Sequence, residues 1–169
     1  NAAITSSEYA IAINPKDADS ISSKAHGLFN LGNYELALSC FKKYAELMPH
    51  DDFSYLHQGT CLINLGRYEE AIAILEKAEQ EADKDSAHLS SIYQELAYAY
   101  SELKKLDIAL YYIDKAKDYD CNNVDIEIIR GHILLSNDMK EEAEKTFTYA
   151  LQHSQNAPQT MLRIIVCLF

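Results

Sequence analysis

Three histidines, His26, His57 and His132, carry the side chains best suited to chemistry in this sequence. Imidazole changes charge close to neutral pH and ligates metals, so such residues gathered at one point would suggest a metal centre or a proton-transfer site. Their separations of 31 and 75 residues argue against a gathered set, because zinc sites present three or four ligands at short spacings. Partner-facing or solvated imidazoles are the better reading, and any binding that uses them should change between about pH 5 and 7.5. Cys40, Cys61, Cys121 and Cys167 lie 21, 60 and 46 residues apart with no CxxC pair. Cys40 and Cys61 read as small core residues, which fits a reducing, cytoplasmic setting. No Gly-rich phosphate loop, HExxH pair, nucleophile elbow or Ser, His and acid grouping stands out. The sequence therefore predicts no enzyme, no cofactor and no metal.

The elements that hold these residues announce themselves through small side chains. Ala37, Ala71, Ala109 and Ala143 recur at separations of 34, 38 and 34 residues. Tyr44, Ala78, Ala116 and Ala150 keep the same steps, and Leu31-Gly32 and Leu65-Gly66 are again 34 apart. A period of this length is the mark of stacked helical hairpins. It divides the chain into blocks 18–51, 52–85, 90–123 and 124–157, with Ser86 to Leu89 as a four-residue insertion. Within a block apolar residues fall at helical spacing, as in Leu62 and Leu65 on a first helix and Ile72, Leu75 and Ala78 on a second. Gly32 and Gly66 supply the left-handed conformation that ends one helix before Tyr34 and Tyr68 open the next. Lys104 and Asp138 stand at those places in the later blocks, which predicts looser or differently shaped turns there.

Ala25, Gly59, Ala97 and Gly131 share one register on the first helices, facing the alanines of the second helices where the two must approach closely. The second block reads Tyr55, Gly59, Leu62, Leu65-Gly66, Tyr68, Ala71, Leu75 and Ala78; the first reads Ile21, Ala25, Leu28, Leu31-Gly32, Tyr34, Ala37 and Phe41, ending in Pro49. The third keeps Tyr93, Leu96-Ala97, Tyr100, Ala109 and Ala116, and the fourth Gly131, Leu134, Ala143, Phe147 and Ala150. This pattern resembles the tetratricopeptide repeat over roughly four fifths of the chain. The resemblance implies an all-α, right-handed superhelical solenoid of antiparallel hairpins. It also implies one array over 1–169, in which 1–17 is the second helix of a preceding repeat and 158–169 the first helix of a following one. Ala3, Ala10 and Pro15 then match Ala37, Tyr44 and Pro49, and Pro158 opens the last helix. Ile164, Ile165, Val166, Leu168 and Phe169 would expose apolar surface, which suggests either a longer parent chain or self-association through the terminal helices. The opening Asn1-Ala2 also fits a residue of cloning.

What the resemblance implies for function is recognition in a concave groove lined by first helices. The residues in that register are His26, Phe29, Asn30, Phe53, Leu56, His57, Thr60, Ile63 and Asn64, continued by Gln94, Tyr98, Ser101, Glu102, Ile128, His132 and Leu135. Aromatic rings supply contact area while amide and imidazole groups reach a peptide backbone. Leu56, Ile63, Ile128 and Leu135 serve equally well as packing between repeats. Arrays of this family that clamp the acidic tail of a chaperone need Lys and Asn, then Asn, then Lys and Arg on successive first helices. Ser22, His26, His57, Ser91 and Glu95 stand there instead, so a chaperone tail is not the expected partner.

Charge narrows the partners further. Lys and Arg number 15 against 26 acidic residues, a net charge of −11, which disfavours nucleic acid because that binding depends on cations facing phosphates. Glu69, Glu70, Glu76, Glu79, Glu81, Asp83 and Asp85 place much of the excess on a second helix, as a solvated outer face or as a surface for a basic partner. No apolar stretch approaches the roughly 18 residues a membrane span requires, and no Asn-x-Ser/Thr acceptor or secretory signal is visible. The expected function is a protein-interaction module acting as adaptor or scaffold. The alternative is a sensory or regulatory arm of a larger signalling or transcription-regulating protein.

Overall fold

The computed structural model describes residues 2–84, 86–121 and 123–168, with side chains described for 4–165 of these. The expectations placed on Asn1, Asp85 and Phe169, and on the side chains of Ala3, Val166, Cys167 and Leu168, lie outside the described residues. All regular structure among the described residues is helical. The chain forms two compact units, Asn1–His88 and Leu89–Phe169, and the boundary falls inside the four-residue insertion.

The first unit holds α1 (Ala2–Ile13), α2 (Ala18–Asn30), α3 (Tyr34–Leu47), α4 (Asp52–Asn64) and α5 (Tyr68–Glu81). Its hairpins are α2–α3 and α4–α5, with α1 packed on α2 and α3 on α4. The second unit holds α6 (Leu89–Glu102), α7 (Leu106–Tyr119), α8 (Val124–Ser136), α9 (Lys140–His153) and α10 (Ala157–Leu168). Its hairpins are α6–α7 and α8–α9, with α10 against α8 and α9. Met161, Leu162 and Ile165 of α10 are exposed, but Ile164, expected to be exposed with Ile165, is buried against Ile128, Leu134 and Phe147.

The small residues sit where the helices come closest. Ala25, Ala37, Ala71, Ala97 and Ala109 have no solvent exposure, and Ala143 has 1%. A Cβ added to Gly59 would meet Leu75 at 2.5 Å, and one added to Gly131 would meet the Phe147 ring at 2.3 Å. Both distances are below any real carbon contact, so the first helices of these two hairpins lie against the second through bare backbone. Phe41 and Leu75, fully buried, and Phe147, 7% exposed, fill the space beside these contacts.

The hairpin turns correct one expectation. Gly32 and Gly66 have φ of 75° and 72°, as their position requires, but Lys104 and Asp138 take φ of 59° and 64°. The turns are therefore not looser. All four close with the same two bonds: Gly32 N to Phe29 O and Asn33 N to Leu28 O, Gly66 N to Ile63 O and Arg67 N to Leu62 O, Lys104 N to Ser101 O and Lys105 N to Tyr100 O, Asp138 N to Leu135 O and Met139 N to Leu134 O. This paired pattern satisfies the orphan carbonyls at a helix end. It forces the left-handed conformation on whatever residue stands there. Lys104 carries that strain while its ammonium donates to the Ser136 carbonyl at 2.8 Å.

Candidate functional site

In the first unit the residues of the first-helix register fall on α2 and α4. After Asp52, α4 contains no Asp, Glu, Lys or Arg as far as Asn64. Phe29, Phe53, His26 and His57 are half-buried, whereas Asn30 and Asn64 are exposed. Leu56 and Ile63 are buried, at 7% and 8% exposure, and pack beneath this face. Thr60 donates its hydroxyl to Leu56 O at 3.1 Å, and Asn64 donates its amide to Thr60 O at 2.8 Å. Both acceptors are helix carbonyls, so these polar groups lie back along α4.

Three of the register residues meet in one cluster. The His57 ring stacks on Phe41 at 5.0 Å with 13° between planes, meets Phe53 edge-on at 4.4 Å and meets His26 edge-on at 4.7 Å. His26 in turn lies 5.2 Å from Phe41 and 5.6 Å from Phe53. The four rings thus join α2, α3 and α4. His26 Nδ1 is 2.8 Å from the Ser22 carbonyl, which can only accept. That nitrogen must carry the proton, and Nε2 of the neutral ring is an acceptor. Burial, then the neighbouring His26 and His88, push the His57 imidazole down to about 4.

Phe53 links the cluster to residues outside the register. It lies 6.2 Å from the Tyr44 ring and 5.7 Å from the His88 ring. His88 reaches Asp52 at 3.1 Å, and Ser86 donates its hydroxyl to the same carboxylate. Burial opposes ionisation of Asp52, but the bonds from Ser86 and His88 outweigh it and hold the carboxyl below its usual range. Register reasoning assigned no role to Ser86 or His88, because both fall in the insertion that interrupts the period. It named Phe41 only as a position of the repeat pattern.

In the second unit the register residues lie on α6 and α8. Tyr98 and His132 stack at 6.0 Å with 11° between planes. Gln94 donates to the Ser90 hydroxyl at 3.2 Å. Ser101 is buried at 1% exposure and its hydroxyl is 3.1 Å from that of Ser136, so it pins two helix ends together. Ile128 is likewise buried, and Leu135 is half-buried. Of the cysteines, Cys61 is buried and its thiol is pushed up to about 12, chiefly by burial. Cys40 is half-buried rather than fully enclosed. Among the described residues no group of His, Cys, Asp and Glu is arranged to hold a metal ion, and no helix is long and apolar enough to cross a membrane.

The fold so built is that of the tetratricopeptide repeat, an all-α helical-repeat solenoid. The family model described as anaphase-promoting complex, cyclosome, subunit 3 matches residues 1–78. Curated protein sequences yield no match. Among solved structures the chain is similar to TTC0263, a thermophilic tetratricopeptide protein of Thermus thermophilus: TM-score 0.80, 20% identity, 98% of this chain and 88% of that one covered. It is similar to MamA from Desulfovibrio magneticus RS-1, with TM-score 0.75 and 21% identity over 89% and 82% of the two chains. It is also similar to YrrB, described as having an unusual peptide-binding site, with TM-score 0.67 and 22% identity over 95% and 81%.

Proposed function

We propose that this chain is a non-catalytic protein-interaction module that holds a peptide or helical segment of a partner against its first helices, as an adaptor or scaffold. The observation that carries the reading is the half-buried, almost charge-free face of α2 and α4. Surfaces of this kind, with aromatic rings beside hydrogen-bonding amides, form the energetic centres of protein interfaces. The face has Phe29, Phe53 and His57 as its apolar ground and Asn30, Thr60 and Asn64 as its polar edge. Tyr98 and His132, with Gln94 beside them on α6, give the second unit a smaller face of the same chemistry. Leu56 and Ser101 support these faces from below. A peptide-binding site in YrrB and a complex subunit as the matched family agree with this assignment.

The test is affinity capture from the native host with the wild-type chain and with Phe53→Ala, His57→Ala and Tyr98→Ala. A partner that contacts the first helices is lost from Phe53→Ala and His57→Ala, or from Tyr98→Ala, while the helical circular dichroism is unchanged. Tyr111→Ala, on an exposed second-helix position, retains it. Equal capture by all variants overturns the proposal.

A further inference from the structure

The four-ring cluster of the first unit has an arrangement that two charged imidazoles cannot share. His26 and His57 are edge to face at 4.7 Å, so a proton on each would place two cations in contact. Neither is paired with a carboxylate among the described residues. The titratable groups around His57 are His26 on α2, Tyr44 on α3 reached through Phe53, Asp52 on α4 itself and His88 in the segment after α5. Tyr44 is held neutral, by burial first and then by its bond to Asp51. Asp52 is already taken by Ser86 and His88, and Asp51 by Tyr44 and the Phe53 N–H at the start of α4. An imidazolium at His57 would therefore face Phe41, Phe53 and His26 with no counter-ion.

We infer that this cluster is an acid-sensitive fastening of the proposed binding face, holding α2, α3 and α4 together while the His57 imidazole is neutral and letting the face come apart when His57 takes a proton. The device rests on the binding reading only for its consequence, namely that a segment lying on Phe29 and Phe53 loses its seat in acid. The opening itself is a property of the chain alone. Two features sharpen it. His88 lies against Phe53 and holds the Asp52 carboxylate, so that acid is not free to serve as a counter-ion to His57. Depression of the His57 imidazole to about 4 delays the inner event well below the ordinary range of histidine. The fastening is set to release in strong acid and to ignore small drifts around neutrality.

The experiment is an NMR titration of the whole chain from pH 7.5 to 3.5, following the His57 Cε1 proton and the Phe41, Phe53 and Tyr98 rings, without any partner. The expected result is a His57 midpoint near 4, ring shifts of Phe41 and Phe53 that move with that midpoint, and a Tyr98 ring in the second unit that does not. In His57→Phe the Phe53 ring should show no transition at that midpoint; should this variant fail to fold, the wild-type titration decides alone. A His57 midpoint within half a unit of free imidazole overturns the inference. So does a cluster whose rings ignore the His57 proton, or a Tyr98 ring that moves at the same midpoint, which would mean general acid unfolding. Because no partner is present, these outcomes stand apart from the capture experiment, and either can fail without the other.

Discussion

His57 gives stability a pH dependence of definite sign. Its folded-state pKa of about 4 lies below the 6.5 of the free side chain, so between those values the unfolded chain binds the proton that the folded chain refuses. The contribution of the neutral ring is complete above pH 6.5 and is lost as pH falls toward 4. The full linkage value is roughly 3 kcal/mol, and screening at a partly exposed ring reduces the expected loss to about 1–2 kcal/mol. Urea denaturation of the wild type and of His57→Phe at pH 7 and pH 4.5 measures this. The wild type should lose more stability than the variant by that amount, and equal losses would remove His57 as the source. Backbone strain at Lys104 gives a second expectation at this scale. Holding a residue with a Cβ at φ of 59° costs about 1 kcal/mol relative to glycine. The Lys104 bond to the Ser136 carbonyl is exposed and offsets only part of this. Lys104→Gly should therefore raise the urea midpoint, with a gain of about 0.5 kcal/mol.

At the scale of the elements, the close approach of α4 and α5 sets a limit on side-chain volume. An alanine at Gly59 would gain about 1 kcal/mol of helix propensity. Its Cβ would fall at 2.5 Å from Leu75, whose side chain is fully buried and has no room to withdraw. Overpacking of this kind costs about 1–3 kcal/mol, so Gly59→Ala should lower the melting temperature in spite of the better helix former, and Ala71→Leu, across the same contact, should lower it further. A melt at or above that of the wild type for either variant would mean that the two helices do not touch here. The same contact explains what could be read in advance. Spacing of small and apolar residues is a direct record of which faces meet, so the helical-repeat class and the Gly32 and Gly66 turns were legible. The conformation at Lys104 and Asp138 was not, because the pairing of carbonyls at a helix end dictates φ whatever the residue type. Register placed His26, Phe53 and His57 on first helices, yet it could not show that Phe41 of a second helix completes their cluster. Ser101 shared the register of the binding face and proved to be buried, since its hydroxyl finds Ser136 across the hairpin ends.

For the whole molecule the decisive quantity is charge. With 26 acidic residues against 15 Lys and Arg the chain carries −11, and an approaching polyanion meets repulsion before it meets any particular side chain. Local chemistry does not reverse this. In the first unit the positions a carboxylate clamp would need hold Ser22, His26 and His57, and the one ring nitrogen of His26 with a fixed proton gives it to the Ser22 carbonyl. His57, lowered to about 4, is neutral at pH 7 and offers no cation. In the second unit Ser91 and Glu95 stand where two cations would be required. A peptide ending in acidic residues and a free carboxylate should therefore show no binding tighter than about 100 µM by calorimetry at pH 7 and physiological salt, which corresponds to less than about 5.5 kcal/mol. Lowering the salt should weaken the interaction further, because less screening leaves the repulsion stronger. Micromolar affinity that grows as salt is removed would mean that a cationic site exists which neither the register nor the ring geometry discloses.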